Sequence, residues 1–157
     1  MLAAIRPDDW NFPLLLHVFG ALVLVGGLVA AVAFGVVAWR GRDAEGERAL
    51  GRLAFRSLLF AAFPAWWLMR LGGQWIYSKE GWEDTADEPG WIGIGFITSE
   101  GGGLLLLIAL ILAGLHVRRL RRSETAGAGL GRAATVLSAI ALVAYLVAVW
   151  AMSAKPD

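Results

Sequence analysis

Residues 13–39, PLLLHVFGALVLVGGLVAAVAFGVVAW, contain no Asp, Glu, Lys or Arg side chain. As an α-helix this stretch is about 40 Å long at 1.5 Å per residue, whereas the hydrocarbon core of a bilayer is about 30 Å thick. It therefore predicts a membrane-spanning helix that tilts or protrudes. The stretch is too long for the apolar region of a signal peptide and follows Asp8 and Asp9, so we expect this helix to be retained.

The composition of the whole chain also points to a membrane protein. Of the 157 residues, 58% are hydrophobic and only 17% are charged, against about 25% charged residues in soluble domains. The net charge of +1 gives no sign of a nucleic-acid partner, and the absence of cysteine excludes disulfides, thiolate metal sites and cysteine nucleophiles. These features exclude a soluble globular protein, a disordered chain and a disulfide-stabilised scaffold.

Three further apolar stretches predict more spans, so that the expected spans are residues 13–39, 53–77, 101–118 and 133–152. The second span must carry Arg70 and Gln74 into or near the hydrocarbon, because its uncharged part alone covers only about 20 Å. Pro64, in the middle of the second span, predicts a kink.

The expected outer loop, residues 78–98, changes character along its length. It starts with acidic residues, turns at Pro89-Gly90 and becomes apolar from Trp91 onwards. Its second half is predicted either to form a short helix in the membrane interface or to be a plain solvated connector with an aromatic anchor.

The distribution of basic residues sets the orientation, because basic loops stay in the cytoplasm. The first and third connections are rich in arginine, whereas Lys79 is the only basic residue in the acidic second connection. We therefore predict an all-α membrane protein, with one integral domain that forms an up-and-down bundle of four transmembrane helices and has both termini outside. The arginines that follow the third span are expected to bind anionic lipid headgroups: Arg118, Arg119, Arg121 and Arg122.

Small and polar residues at helical spacing predict which face of each helix points to the bundle centre. The predicted stripes are His17, Gly20, Leu24, Gly27 and Ala31 on the first helix, Phe63, Trp66, Arg70, Gln74 and Tyr77 on the second, and Ala134, Ser138, Ala141, Tyr145, Ala148 and Met152 on the fourth.

Polar side chains at membrane depth are the candidate functional residues, since such groups usually face the protein interior. Four of them are predicted to lie in one layer of the outer leaflet: His17, Arg70, Gln74 and Glu100. We expect Arg70 to pair with Glu100, with Trp66 or Trp67 stacked on the guanidinium. The cluster is interpreted either as a small ligand-binding or metal-sensing pocket open to the outside, or as an interhelical clamp. The sequence indicates no catalytic residues.

The two histidines raise the alternative of a redox or metal-handling module. His17 and His116 are about 20 Å apart in depth, so they cannot both ligate one haem iron. A haem b held by His17 alone, or copper bound by His17 with Met69 and Met152, is the alternative to our expectation that the chain has no cofactor. His116, beside basic residues, is predicted to be an interfacial residue.

The residues Leu16-His17-Val18-Phe19-Gly20-Ala21, followed by Val25-Gly26-Gly27, form a pattern L-H-x-x-G-A…G-G. This pattern resembles the first helix of small bacterial integral membrane proteins of unknown function. It is also similar to the membrane part of copper-resistance D-like proteins and related haem-associated four-helix modules. The resemblance implies a multi-pass protein of the bacterial inner membrane and singles out His17, but it implies no reaction.

Two classes of function follow from these observations. The first is a non-enzymatic membrane protein, either a structural or accessory subunit or one that binds a small ligand at the outer polar cluster. Such a subunit would work in the lipid bilayer as a homo-oligomer or within a larger membrane complex. The second is a redox or metal-handling membrane module that uses His17 as a ligand.

Overall fold

The structure is a computed structural model, and it describes residues 11–41, 44–82, 89–122 and 128–155. These residues form α1 (Asn11–Arg40), α2 (Ala44–Ser57), a π turn (Leu58–Ala62), α3 (Phe63–Lys79), α4 (Gly90–Arg121) and α5 (Ala128–Ala154). Within the described ranges no residue belongs to a strand, so the prediction of an all-helical protein is confirmed.

Three helices are long and apolar enough to cross a membrane. They are Phe12–Arg40 of α1, Gly90–Arg121 of α4 and Gly129–Ala154 of α5. Each presents large apolar side chains on its outer surface, and Leu22, Ile97 and Val143 are 68%, 76% and 62% exposed. An exterior of this kind suits hydrocarbon rather than water. The length and the apolar surface of these helices therefore indicate a membrane protein with transmembrane helices.

α2, the π turn and α3 follow one another without a break, and we call them together the α2–α3 helix. Pro64 explains the π turn, because proline has no N–H and its ring displaces the carbonyl of Phe60, four residues earlier. The backbone absorbs this disturbance in the preceding turn, where the N–H of Phe63 donates to the carbonyl of Leu58, five residues back.

The α2–α3 helix begins at Ala44 rather than near residue 53, where the second span was expected to start. The first turn of α2 carries Glu45 and Glu47, and its last turn carries Arg56. This order of charges complements the helix dipole and favours a helix before the apolar part begins.

The expected outer loop is shorter in the structure. α4 begins at Gly90, so the apolar half of that loop is the first part of a long helix, neither a separate interfacial helix nor a connector. Pro89 is extended, with φ −60° and ψ 139°, and its carbonyl accepts the N–H of Ile92 over 3.0 Å. The acidic part of the loop, residues 83–88, lies outside the described residues.

Neighbouring helices pack antiparallel. α1 lies against the α2–α3 helix and α5, while α4 lies against α5 and α2. The start of α1 meets the end of α3, where a Cβ added to Gly72 would come within 2.6 Å of the amide nitrogen of His17. In the same way the start of α4 meets the end of α5, where a Cβ on Gly95 would overlap the methyl group of Met152.

The helix ends therefore gather at two levels, which we name after one residue of each. The Arg70 end comprises the starts of α1 and α4 with the ends of α3 and α5. The His116 end comprises the starts of α2 and α5 with the ends of α1 and α4. Between the two ends lies a layer of apolar side chains, of which Leu24, Leu28 and Leu106 have no exposed surface.

The predicted packing faces agree with the structure on α1 and α5 but not on α3. The buried residues include Gly20, Leu24, Gly27 and Ala31 on α1 and Ala134, Ser138, Ala141 and Tyr145 on α5. On α3 the buried residues are Ala65, Met69 and Gly72, because these positions bring α3 against α1. The predicted stripe with Trp66 and Arg70 is half-buried and turns towards α4 instead.

Candidate functional site

The Arg70 end carries a hydrogen-bonded cluster that joins α3 to α4. Nε of Arg70 donates to Oε1 of Glu100 over 2.8 Å, and Nη1 donates to Oε1 of Gln74, also over 2.8 Å. The expected pair of Arg70 and Glu100 is therefore present, and Gln74 joins it because it lies one turn further along α3. The Glu100 side chain is 62% exposed and that of Arg70 24%, so this cluster lies at the surface of the seam.

The aromatic ring on the Arg70 guanidinium is Phe96 and not a tryptophan. Cζ of Arg70 lies 5.3 Å from the centroid of the Phe96 ring, which is within the range of a cation–π contact. Tyr77 of α3 packs edge-on against the same ring, with centroids 5.0 Å apart. Phe96 was missed because the residues before 99 were expected to form a loop.

Trp66 ties α3 to α4 at a deeper level. Its Nε1 donates to the carbonyl oxygen of Ser99 over 3.0 Å. Its ring fills the space that Gly103 leaves on α4, since a Cβ there would come within 2.6 Å of the indole. Trp66 thus acts on the seam as a hydrogen-bond donor and a packing group.

His17 lies on a different seam from the other members of the expected cluster. Its Nδ1 is 2.8 Å from the carbonyl oxygen of Met69 on α3, and because a carbonyl only accepts, Nδ1 carries the hydrogen. The ring lies beside Gly73, whose added Cβ would come within 2.9 Å of Nδ1. The structure therefore places His17 between α1 and α3, whereas Arg70, Gln74 and Glu100 lie between α3 and α4.

The donors available around His17 decide how well a metal fits there. Among the residues that the structure describes, no group of three His, Cys, Asp or Glu side chains lies close enough to hold a metal ion. The methyl group of Met152 packs against Gly95 of α4, on the seam between α4 and α5. His17 thus offers one nitrogen, Nε2, and Met152, one of the two methionines expected beside it, lies on another seam.

The two histidines lie at opposite ends of the molecule. His17 adjoins Gly73 and His116 adjoins Gly51, and both glycines belong to the α2–α3 helix. At 1.5 Å per residue these glycines are about 33 Å apart. One haem iron therefore cannot take both imidazoles, in agreement with the depth argument from the sequence.

The His116 end contains a partly open cavity of about 160 Å³ that the sequence patterns did not predict. It lies among α1, α2, α4 and α5, and alanine and glycine residues form most of its wall. Its polar lining comes from three helices and consists of Glu47 of α2, His116 of α4, and Arg132, Thr135 and Ser138 of α5.

His116 is buried between helices, with 5% of its surface exposed, rather than lying in the interface beside the arginines. Two glycines make room for the imidazole. A Cβ on Gly131 would come within 2.8 Å of Nε2, and a Cβ on Gly51 within 3.2 Å. The arginines that follow are exposed at the end of α4, where we expect headgroup binding: Arg118, Arg119, Arg121 and Arg122.

Both hydroxyl groups in the cavity wall already donate to their own helix. Oγ1 of Thr135 donates to the carbonyl of Gly131 over 2.9 Å, and Oγ of Ser138 donates to the carbonyl of Ala134 over 2.8 Å. A hydroxyl has one hydrogen, so each of these groups can only accept from a further partner.

Sequence reasoning missed this cavity because no pattern within one helix marks it. Gly51 and Gly131 are two of 20 glycines, and both lie near arginine-rich connections where glycine is unremarkable. The only available signal was a histidine near the end of the third span, beside the arginines. The chain matches no family model, no curated protein and no solved structure.

Proposed function

We propose that the chain is a non-enzymatic subunit of a bacterial inner membrane, built as an up-and-down bundle of four transmembrane helices with both termini outside. In this proposal its role is structural or accessory, within a homo-oligomer or a larger membrane complex, and the Arg70 cluster is an interhelical clamp. The observation that carries the proposal is the bridge from Arg70 to Glu100, which joins two helices across a sparsely packed seam.

The apolar surface of the α2–α3 helix supports a fourth span. Phe60, Leu71 and Trp75 are 72%, 58% and 46% exposed, and the helix from 44 to 79 is about 54 Å long. A helix of that length reaches across hydrocarbon even though charged residues flank its apolar part. Its two ends also meet the opposite ends of α1, as a crossing helix requires.

Clamping suits the Arg70 cluster better than ligand binding, because its members satisfy one another. Arg70 reaches a carboxylate, a side-chain amide and an aromatic ring within the same seam. α3 packs extensively against α1 but sparsely against α4, so polar contacts have to hold the second seam. The cavity, which is partly lined by polar side chains, lies at the His116 end instead.

Single cysteines test the span count and the orientation, since the chain has none of its own. We expect Asp87→Cys to react with a membrane-impermeant maleimide in intact cells, and Arg48→Cys to react only after permeabilisation. Val143→Cys, on a lipid-facing surface, serves as the unreactive control. Labelling of positions 48 and 87 from the same side would show that the α2–α3 helix does not cross. Labelling of position 87 only after permeabilisation would reverse the orientation.

A redox or metal-handling module is the second candidate, and one observation favours it. Because Nδ1 of His17 donates to a carbonyl, Nε2 of a neutral ring presents its lone pair, as in histidines that bind haem or copper. The purified protein then absorbs in the haem Soret region or contains copper by elemental analysis, and His17→Ala removes the signal while His116→Ala keeps it. A colourless, metal-free preparation contradicts this candidate.

A further inference from the structure

Three side chains in the wall of the cavity at the His116 end can accept hydrogen bonds from a ligand. Thr135 and Ser138 present only lone pairs, because each hydroxyl hydrogen is bonded to a carbonyl of α5. Glu47 adds a half-buried carboxylate from α2, which is acceptor-only when ionised. Three acceptors around one space suit a primary ammonium group, which has three N–H donors.

One cationic side chain, that of Arg132, also lines the cavity. Arg132 of α5 lines it, and the Arg132 guanidinium carbon lies 5.2 Å from the centroid of the Trp39 ring of α1. Stacking on Trp39 holds this cation in place at the exposed side of the cavity. A simple amine would meet repulsion from Arg132, whereas a molecule with both an ammonium and an anionic group satisfies both charges.

The volume limits the part of the ligand that enters. An apolar cavity of about 150 Å³ holds benzene, with its six heavy atoms. An ammonioethyl group has three heavy atoms and fits the 160 Å³ cavity. A phosphate attached to it remains at the exposed side, next to Arg132.

We propose that the cavity at the His116 end is a binding site for a phosphoethanolamine group. Glu47, Thr135 and Ser138 accept from its ammonium, and Arg132 pairs with its phosphate. The group comes either from phosphatidylethanolamine in the surrounding bilayer or from a soluble phosphoethanolamine. This site is independent of the Arg70 cluster, so failure of the clamp leaves it standing.

The test compares ligands that share a phosphate and differ in the group attached to it. The purified full chain in detergent is titrated with O-phosphoethanolamine, with phosphocholine and with inorganic phosphate, and binding is followed by calorimetry. Phosphocholine has a quaternary nitrogen without an N–H group, so we expect it to bind at least ten times more weakly than O-phosphoethanolamine. Equal binding of the two, or equal binding of inorganic phosphate, overturns the proposal, because the arginines alone would then explain it.

A second arm distinguishes the two sources. The protein is placed in nanodiscs of phosphatidylethanolamine or of phosphatidylcholine, each mixed with the same share of anionic lipid, and thermal unfolding is measured. A higher melting temperature in phosphatidylethanolamine identifies the lipid headgroup, and calorimetric binding of O-phosphoethanolamine without this difference identifies the soluble source. If O-phosphoethanolamine does not bind and the two kinds of nanodisc give the same melting temperature, the proposal is overturned.

Matched variants locate the binding. Glu47→Gln and Arg132→Gln are expected to weaken binding of the preferred form at least tenfold, and Ser138→Ala severalfold. Glu45→Gln, on the same helix but outside the cavity lining, removes the same charge and is expected to bind as the unmodified chain does. An equal loss in Glu45→Gln and Glu47→Gln overturns the site. Far-ultraviolet circular dichroism shows whether each variant is folded. If Glu47→Gln does not fold, the binding measured for Arg132→Gln is the test of the site.

Discussion

Two pairs of glycines, one pair at each end of the molecule, make different kinds of contact. At the Arg70 end, Gly20 and Gly72 bring the backbones of α1 and α3 together, and an added Cβ on either would meet backbone atoms. At the His116 end, Gly51 and Gly131 make room for the imidazole ring of His116, and an added Cβ on either would meet side-chain rather than backbone atoms. One end is therefore closed by helix contact, while the other keeps a space among its helices.

The polar groups follow the same division. At the Arg70 end Arg70, Gln74 and Glu100 bind one another on the seam between α3 and α4, and at the His116 end polar side chains line a cavity. In a membrane protein, where lipid provides no hydrophobic drive between helices, small residues set the distance between backbones. That distance decides whether polar side chains meet each other or surround a space that admits a ligand.

The largest expected effect comes from disrupting the backbone contact between α1 and α3 at the Arg70 end. In Gly72→Ala the new methyl group would lie 2.6 Å from the amide nitrogen of His17 and 2.8 Å from the carbonyl oxygen of Pro13. Backbone atoms cannot swing aside, so α1 and α3 must separate, and we expect a loss of about 3 kcal/mol in the free energy of unfolding. Thermal and denaturant unfolding in detergent measure it.

Gly26→Ala is the matched control for the change at Gly72. A Cβ on Gly26 meets nothing within 4 Å, so the substitution is expected to stabilise α1 by about 0.5–1 kcal/mol through helix propensity. If Gly72→Ala is as stable as Gly26→Ala, the two backbones are not in contact and the comparison between the ends fails.

The second effect concerns the clamp. Arg70→Ala removes the bridge to Glu100 and the bond to Gln74, and we expect a loss of about 1–2 kcal/mol, the lower part of the range for charged partners because Glu100 is exposed. Thermal unfolding in detergent measures this loss, and Arg56→Ala, an exposed arginine on the α2–α3 helix, serves as control. An unchanged melting temperature for Arg70→Ala counts against the clamp.

Contacts that follow from the spacing of residues along one helix could be predicted well from the sequence. Contacts that depend on how two helices are rotated against each other could not. The faces of α1 and α5, and the pair of Arg70 and Glu100, follow from spacing and depth. The buried face of α3 does not, because Trp66 and Arg70 look more suited to a bundle centre than Ala65 and Gly72 do. Only the close approach of α1 to α3 in the structure shows that the small residues of α3 occupy its buried face.

The cavity at the His116 end lies beyond sequence reasoning for the same reason. It requires Gly51, His116 and Gly131 to meet, and these residues come from three helices that are distant in the sequence. Depth arithmetic placed His116 towards this end but could not show which side of α4 it would take. The misplaced loop at residues 91–98 had a different cause, since Trp91 and Phe96 suggested an interface where the helix simply continues.

A smaller effect is expected for glycine replacement at the His116 end. In Gly131→Ala the added methyl group comes within 2.8 Å of Nε2 of His116, but the ring adjoins the cavity and can shift into it. We expect the loss to stay below about 1 kcal/mol, because the gain in helix propensity offsets part of the repacking. Gly129→Ala, which meets nothing within 4 Å, is the control for propensity alone. A loss as large as that of Gly72→Ala would show that this end is packed as tightly as the other.

The smallest expected effect is the difference in stability between two variants in which a buried serine is replaced by alanine. Oγ of Ser99, at the Arg70 end, has no hydrogen-bond partner among the described residues, whereas Oγ of Ser138 donates to the carbonyl of Ala134. Both serines lie within helices, so replacement by alanine gives the same gain in propensity and cancels in the comparison. Ser99→Ala is expected to be more stable than Ser138→Ala by about 1 kcal/mol, the net value of one hydrogen bond, as measured by thermal unfolding. If Ser99→Ala is instead the less stable variant, its hydroxyl has a partner such as a bound water, and the Arg70 end is less tightly closed than its glycine contacts indicate.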